Sequence, residues 1–291
     1  MPALLAAALP ETTSEVLAFS PHLDVLGVMV ALAIGYEYGV RRLAPHYAPQ
    51  GEPAVTRGQR VMFYLGLGSL MVVSTWPIHD IAEGSLFTFH MIEHLVYGLI
   101  APPLLIAGTP WWLIRFLVKP IMPVMRILTR PLVALFLFNA TLGLMHVPGV
   151  VELMVTSELA HFGIHAALLL TGILMWWPVM DPIPDLPALS PFMKMGYLFL
   201  QSLVPTIPAS FLTLGSKPLY PIYEELPRLW GLSAMSDQVI AGLIMKIIGG
   251  LIIWGFIAWV FFSWWNDEQK YGAVDHSVRR DPRCWLLYSR N

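Results

Sequence analysis

The clearest pattern in the chain is the recurrence of long apolar blocks separated by short polar stretches. Each block holds about twenty residues and almost no charge. An α-helix rises about 1.5 Å per residue, so a block of this length crosses roughly 30 Å of hydrocarbon. The pattern predicts an all-α polytopic membrane protein, a seven-transmembrane-helix bundle, with spans at about 23–40, 60–77, 86–107, 131–147, 158–180, 192–215 and 236–265.

The composition agrees with this class of protein. Apolar residues make up 56% of the chain and charged residues only 12%, whereas a soluble domain carries roughly 25% charged residues. The net charge is -2 and no segment is strongly basic, so we expect no nucleic acid as a partner. The apolar helices are expected to contact membrane lipid. A single cysteine, Cys284, predicts neither an internal disulfide nor a paired-cysteine metal site. Because no Lys or Arg precedes the short apolar run in residues 1–20, we do not expect a cleaved signal peptide.

The positive charges predict the orientation of the bundle, because Lys and Arg near span ends are retained in the cytoplasm. One side of the predicted bundle carries Arg41, Arg42, Arg57, Arg60, Arg115, Lys119, Arg126, Arg130, Lys194, Lys270, Arg279, Arg280, Arg283 and Arg290. The other side has only Lys217 and Arg228, and Lys246 falls inside the last span. The N-terminus is therefore predicted outside, and the single bundle domain, 1–265, is followed by a short cytoplasmic tail, 266–291.

Two pairs of histidines are the main candidates for chemistry. His90 and His94 lie four residues apart in the third span, and His161 and His165 repeat this spacing in the fifth span. Residues four apart share one face of a helix, about 5.4 Å apart along its axis. Both spans are predicted to run inward and both pairs fall within the first two turns, so the pairs match in depth. Ionisable groups inside a membrane are costly and usually mark a site, and imidazole binds copper, zinc, iron and nickel. We therefore predict a metal site at the outer end of the bundle.

Other polar groups converge on the same outer end. His146 ends the fourth span and Asp237 opens the seventh, so both join the candidate metal ligands. His22 and His46 are interpreted as packing residues. His79 falls in a loop, where solvation is the simpler expectation.

Three other classes of site compete with a small metal ion. The residues from His90 to His94 also fit the H-x-x-E-H motif of inverted zinc proteases, in which Glu93 would be the general base. A haem would take one axial histidine from each of two facing helices. Each of these alternatives leaves part of the histidine set unused. A transporter is disfavoured, because the polar groups cluster at one end rather than around the midplane.

Several short motifs are spread along most of the chain. They are Trp76-Pro77, Asp80-Ile81-Ala82-Glu83, Phe89-His90-Met91 with His94, Ala101-Pro102-Pro103-Leu104-Leu105, Gly108-Thr109-Pro110, His146-Val147-Pro148, His161 with His165, Gly172 with Trp176-Trp177-Pro178, and Asp237-Gln238 with Ala241-Gly242 and Met245. In these motifs the chain resembles the multi-span CtaG-type assembly factors of caa(3)-type cytochrome c oxidase. The resemblance covers about residues 60–265.

The resemblance implies a non-enzymatic protein of the bacterial cytoplasmic membrane that assists copper insertion into cytochrome c oxidase. It implies copper, as Cu(I), at a site facing the periplasm, with an oxidase subunit and a periplasmic copper chaperone as partners. The family's site residues carry over onto His90, His94, His146, His161, His165 and Asp237. The chain departs from the family at Glu93, where Gln is usual, and at Lys246, where an aromatic residue is common. A scaffolding role without any metal stays open at this point.

Overall fold

The computed structural model describes residues 9–51 and 53–280. Its described residues form helices and contain no β-strand. The predicted tail begins inside the last helix, whereas Cys284 and the rest of residues 281–291 lie outside the described residues.

The described residues up to Leu128 form eight α-helices. They are α1 (Thr13–Val16), α2 (Leu23–Tyr47), α3 (Arg57–Val73), α4 (Ile78–Gly84), α5 (Phe87–Leu95), α6 (Ala101–Gly108), α7 (Trp111–Val118) and α8 (Met122–Leu128). A π-helical segment, Val96–Ile100, joins α5 to α6 without interrupting the helix. Its wider turn precedes Pro102 and Pro103, so the span continues through two residues that lack a backbone donor.

Eight more α-helices lie between Pro131 and Arg280, where the described residues end. They are α9 (Pro131–Met145), α10 (Pro148–Thr156), α11 (Glu158–Met180), α12 (Pro191–Leu203), α13 (Thr206–Leu214), α14 (Ile222–Glu225), α15 (Ala234–Leu243) and α16 (Gly249–Arg280). A second π-helical segment, Ile244–Ile248, joins α15 to α16.

Hydroxyl side chains determine where several of these helices begin. Thr56 and Gln59 form a reciprocal capping box at the start of α3. Ser157, Ser190 and Ser233 each accept a backbone N–H in the first turn of α11, α12 and α15. A helix start leaves four N–H groups without an intrahelical partner, and a hydroxyl acceptor at the N-cap satisfies one of them.

Five helices are long and apolar enough to cross a membrane unaided. They are Leu23–Tyr47, Phe87–Gly108, Glu158–Met180, Pro191–Leu214 and Ala234–Lys270. Two further pairs of helices qualify together but are bent, α3 with α4 by 43° and Trp111–Leu128 with α9 by 87°. The described residues therefore offer five to seven crossings, at the positions that the apolar pattern predicts.

The segment Phe87–Gly108 is the central element of the bundle. In its most apolar window 61% of the residues are buried, compared with 22–33% in the other four long helices. The outer helix surfaces expose large apolar side chains, as expected where lipid replaces water. Examples are Leu132, Phe136, Phe192, Phe211, Leu214 and Leu251.

Two glycines allow the central segment and α11 to approach each other closely. A Cβ on Gly172 would lie 3.0 Å from the carbonyl oxygen of Gly98 and 3.0 Å from Pro102 Cγ. One turn further along α11, the Trp176 indole N–H donates a 3.1 Å hydrogen bond to that same Gly98 oxygen. Small residues bring membrane helices together in this way, and the two helices held here are those that carry the histidine pairs.

Replacing Gly172 with leucine is expected to force the central segment and α11 apart. Overpacking of this kind costs about 1–3 kcal/mol, and here the obstacle includes backbone. The variant should melt at a lower temperature in detergent. Gly163 lies on the same helix, and a Cβ added there would have nothing within 4 Å, so Gly163→Leu is the matched control. Equal behaviour of the two variants would contradict the assigned role of Gly172.

Candidate metal centre

The histidines of the predicted site meet at one end of the bundle, which we call the histidine end. It comprises α4, the N-terminal turns of α5 and α11, and the C-terminal end of α9. Two groups of three side chains in the described residues have ligand atoms within 4.8 Å of one another.

The first group, the inner triad, consists of His90, His94 and His165. The ring centroids of His90 and His94 are 4.3 Å apart, and His165 lies 5.8 Å from His90 and 5.4 Å from His94. Their exposed fractions are 0%, 5% and 5%. Tyr97 stacks on His165 at 4.8 Å, which holds the plane of that ring. The inner triad is therefore a buried, all-imidazole site between the central segment and α11.

The second group, the outer triad, consists of His79, Glu93 and His161. His79 Nδ1 lies 2.9 Å from Glu93 Oε1, a hydrogen-bond distance. Glu83, one turn after His79 on α4, contacts His161 Nδ1 and lies 3.5 Å from His79 Nε2. The outer triad thus combines two imidazoles with one carboxylate and has a second carboxylate at its edge.

Glu93 lies between the two triads. Its Oε1 atom faces His79, and its Oε2 atom lies 3.9 Å from His90 Nδ1 and 3.9 Å from His165 Nε2. The rings of His161 and His165 are 4.2 Å apart and also connect the two groups. Glu93 is completely buried, so its carboxylate is directed at imidazoles on both sides.

Many polar atoms at the histidine end are buried without a hydrogen-bond partner in the described residues. They are both ring nitrogens of His90 and His94, Nε2 of His161, His165 and His146, and Oε2 of Glu93. Leaving such an atom unpaired costs about 1–3 kcal/mol, and buried polar groups are almost always satisfied. A metal ion would satisfy several of these lone pairs together, so the residues present fit an ion.

His146 lies beside the inner triad rather than in it. Its ring centroid is 6.3 Å from that of His94. Its Nδ1 donates to the carbonyl oxygen of Leu142 at 2.7 Å, and its backbone carbonyl accepts from the Tyr220 hydroxyl at 3.1 Å. Because Nδ1 carries the proton of this hydrogen bond, Nε2 of His146 keeps a lone pair that could bind a metal.

Asp237 lies outside both triads and has other partners. Its carboxylate accepts hydrogen bonds from the backbone N–H groups of Phe87, at 2.8 Å, and Thr88, at 2.9 Å, where α5 begins. It also accepts a hydrogen bond from Nη2 of Arg228 at 2.9 Å. A second nitrogen of Arg228 donates to the Ser85 carbonyl at 2.6 Å. In this structure Asp237 connects the start of α15 to the start of the helix that carries His90.

The expectation that His79 is a solvated loop residue is wrong. His79 lies on α4, which follows α3 after a 43° bend, and its side chain is only 14% exposed. Neither the histidine spacing nor the resemblance predicts Glu83 as a ligand. A signal was present: His79 and Glu83 are four residues apart between Pro77 and Ser85, a spacing that places both on one face of a short helix.

The packing role predicted for His22 agrees with its contacts, whereas His46 is exposed. His22 Nε2 lies 2.9 Å from Asp80 Oδ2, and the His22 ring packs edge-on against His79 at 5.0 Å. A row of imidazoles therefore leads from His22 through His79 and His161 to the inner triad.

A cavity of about 50 Å³ lies on the other side of His94. Two buried methionines, Met91 and Met245, line it together with Lys246, whose side chain is exposed on the π-helical segment Ile244–Ile248. Thioethers are soft ligands suited to Cu(I), so the inner triad has softer groups nearby than the outer triad.

The chain matches the model of one protein family. The family model described as cytochrome c oxidase caa3 assembly factor matches residues 34–267, which include both triads. No curated protein and no solved structure matches the chain.

Proposed function

Since this chain belongs to the cytochrome c oxidase caa3 assembly factor family, we propose that it binds copper at the histidine end and assists its insertion into the oxidase. The observation that carries the proposal is the set of buried, unpaired ligand atoms on His90, His94 and His165. Copper is here the cargo of the protein. Its partners are then an oxidase subunit, as acceptor, and a periplasmic copper donor.

Size favours an ion over a haem. The ligand atoms of each triad lie within 4.8 Å of one another, a space that suits a single ion with metal–nitrogen bonds of about 2 Å. A haem needs room for a macrocycle between its axial histidines. The rings of His90 and His165 are instead 5.8 Å apart and packed within the bundle.

The contacts of Glu93 favour binding over hydrolysis. A zinc protease needs this carboxylate to activate a water molecule. Here Oε1 of Glu93 is engaged with His79 and the side chain is completely buried. The same contacts suit a carboxylate that supports metal binding, and we assign no catalytic residue.

We infer that the histidine end faces the periplasm and that the protein lies in the bacterial cytoplasmic membrane. The excess of Lys and Arg in the loops at the opposite end supports this orientation. Two of those loops are joined by Arg115, which donates to Asp185 at 2.7 Å and 2.9 Å. This pairing lowers the pKa of Asp185 below its usual range. Seven crossings, with the N-terminus outside, satisfy the charge pattern.

The first measurement is metal content and visible absorption of the detergent-purified protein, before and after one equivalent of Cu(I). We expect retention of copper near one per chain through gel filtration, without a Soret band. A Soret band would contradict the proposal in favour of a haem protein. Failure to retain copper would contradict it in favour of a scaffold.

A further inference from the structure

We propose that the histidine end holds two adjacent metal sites, the outer triad and the inner triad, with Glu93 as a carboxylate shared between them. The inference rests on the proposed metal binding and adds to it a second site at His79, Glu93 and His161. The outer site would take a divalent ion, and the inner site would take Cu(I).

Each triad has enough ligand atoms to bind an ion of its own. Each has three ligand atoms within 4.8 Å of one another, and no histidine belongs to both. Glu93 directs one carboxylate oxygen at each group, because Oε1 lies 2.9 Å from His79 while Oε2 lies 3.9 Å from both His90 and His165. A carboxylate with one oxygen toward each of two ligand sets is suited to bridge two ions, or to pass one ion between them.

The charges of the two triads suit different ions. The outer triad contains Glu93 and has Glu83 at its edge, so it can neutralise the charge of a divalent ion such as zinc or cobalt. The inner triad offers only imidazoles, which are neutral when they bind a metal, and Met91 lines the cavity that His94 also lines. Burying charge without compensation is costly, so a monovalent ion is the better occupant of the inner triad.

Exposure sets the order in which an ion would meet the two sites. The side chains of His79 and Glu83 are 14% and 30% exposed, whereas those of His90 and His165 are 1% and 6% exposed. The outer site is therefore the point of entry and exit, and the inner site is the holding position. His161 and His165, 4.2 Å apart, allow ligands to be exchanged one at a time as an ion moves inward. The ion that moves inward is Cu(I) throughout, and it passes the outer position before a divalent ion is bound there, so the step involves no oxidation or reduction.

The test uses Co(II), whose visible spectrum reports an occupied site, and Cu(I) supplied from a chromophoric chelator. Wild-type protein is expected to bind one equivalent of each ion at once. His79→Ala should weaken Co(II) binding more than about 100-fold and leave Cu(I) in place, and His94→Ala should do the reverse. Glu93→Gln should weaken both by about 10- to 100-fold, the range seen when a supporting carboxylate is lost. His46→Ala, remote from both triads, should change neither.

The reciprocal losses in the two alanine variants also show that each variant is folded. If Cu(I) displaces Co(II) with a total of one ion per chain, or if either alanine variant loses both ions, the two-site proposal is overturned. Binding of Cu(I) without any Co(II) would overturn the outer site and leave the proposed function standing. Binding of neither ion by the wild-type protein would overturn the proposed function itself, and the second site with it.

Discussion

Replacing His90 and His161 together with alanine is expected to abolish copper binding and to leave the oxidase without copper while its haem content persists. The two residues come from different helices and different triads, so the double variant breaks both ligand sets at once. The inner triad then keeps only His94 and His165, and the outer triad only His79 and Glu93. Neither pair offers enough ligands for a closed site. The measurement is copper and haem content of oxidase purified from cells that carry the variant in place of the wild-type gene.

His46→Ala is the matched control for this double variant. His46 is an exposed histidine near the end of α2, remote from the triads, so its loss should leave oxidase copper unchanged. Amounts of variant protein in the membrane need to equal wild type for the comparison. Normal oxidase copper in the double variant would remove the copper proposal and would favour a scaffold that stabilises a nascent subunit without binding metal.

Replacing Asp237 with alanine is expected to destabilise the metal-free protein strongly. Asp237 is fully buried and accepts hydrogen bonds from Phe87, Thr88 and Arg228. Removing one partner of a buried ion pair typically costs about 3–5 kcal/mol, because the remaining charge is left without compensation. The start of α5 also loses the acceptor that caps it. The measurement is the thermal unfolding of the purified protein in detergent, with all metal removed.

The metal-free condition separates a structural role of Asp237 from the predicted role as a ligand. A residue that acts only as a ligand would leave the unfolding of the metal-free protein unchanged and would lower copper affinity alone. Glu152→Ala is the control, because this exposed residue on α10 should change stability by no more than about 0.5 kcal/mol. Unfolding of Asp237→Ala that matches this control would argue for ligation.

The same contacts explain how Asp237 supports the site from a distance. The backbone groups that it accepts, at Phe87 and Thr88, precede His90 by less than one turn of α5. Arg228 connects the same carboxylate to the loop before α5 through the Ser85 carbonyl. The orientation of the first helical turn, and with it the direction in which His90 points, therefore depends on a residue from a different helix.

The class of protein and the positions of its long helices could be predicted from local pattern alone. Apolar blocks of about twenty residues have few alternatives to a membrane helix. The spacing of His90 with His94, and of His161 with His165, likewise places each pair on one helix face without knowledge of the fold. The spacing of residues along a helix depends on that helix alone. These predictions therefore agree with the structure.

The grouping of the ligands depended on contacts between helices, which a local pattern does not contain. Helix α4, bent by 43° from α3, brings His79 and Glu83 to His161. The rotation of α5 directs Glu93 between the two triads. Asp237, predicted as a ligand from its place at the same end, instead meets the start of α5 and Arg228.

Local pattern thus indicates a membrane helical bundle with two histidine pairs, each on one face of a helix. Which side chains share a site depends on how the helices pack. Hydrophobic burial specifies that a helix lies in the membrane and is nearly indifferent to its exact rotation and tilt. Those are set by close packing, such as Gly98 against Gly172, and by hydrogen bonds between distant residues. Ligand sets assembled within a few ångströms across three helices therefore emerge only when the helices are packed.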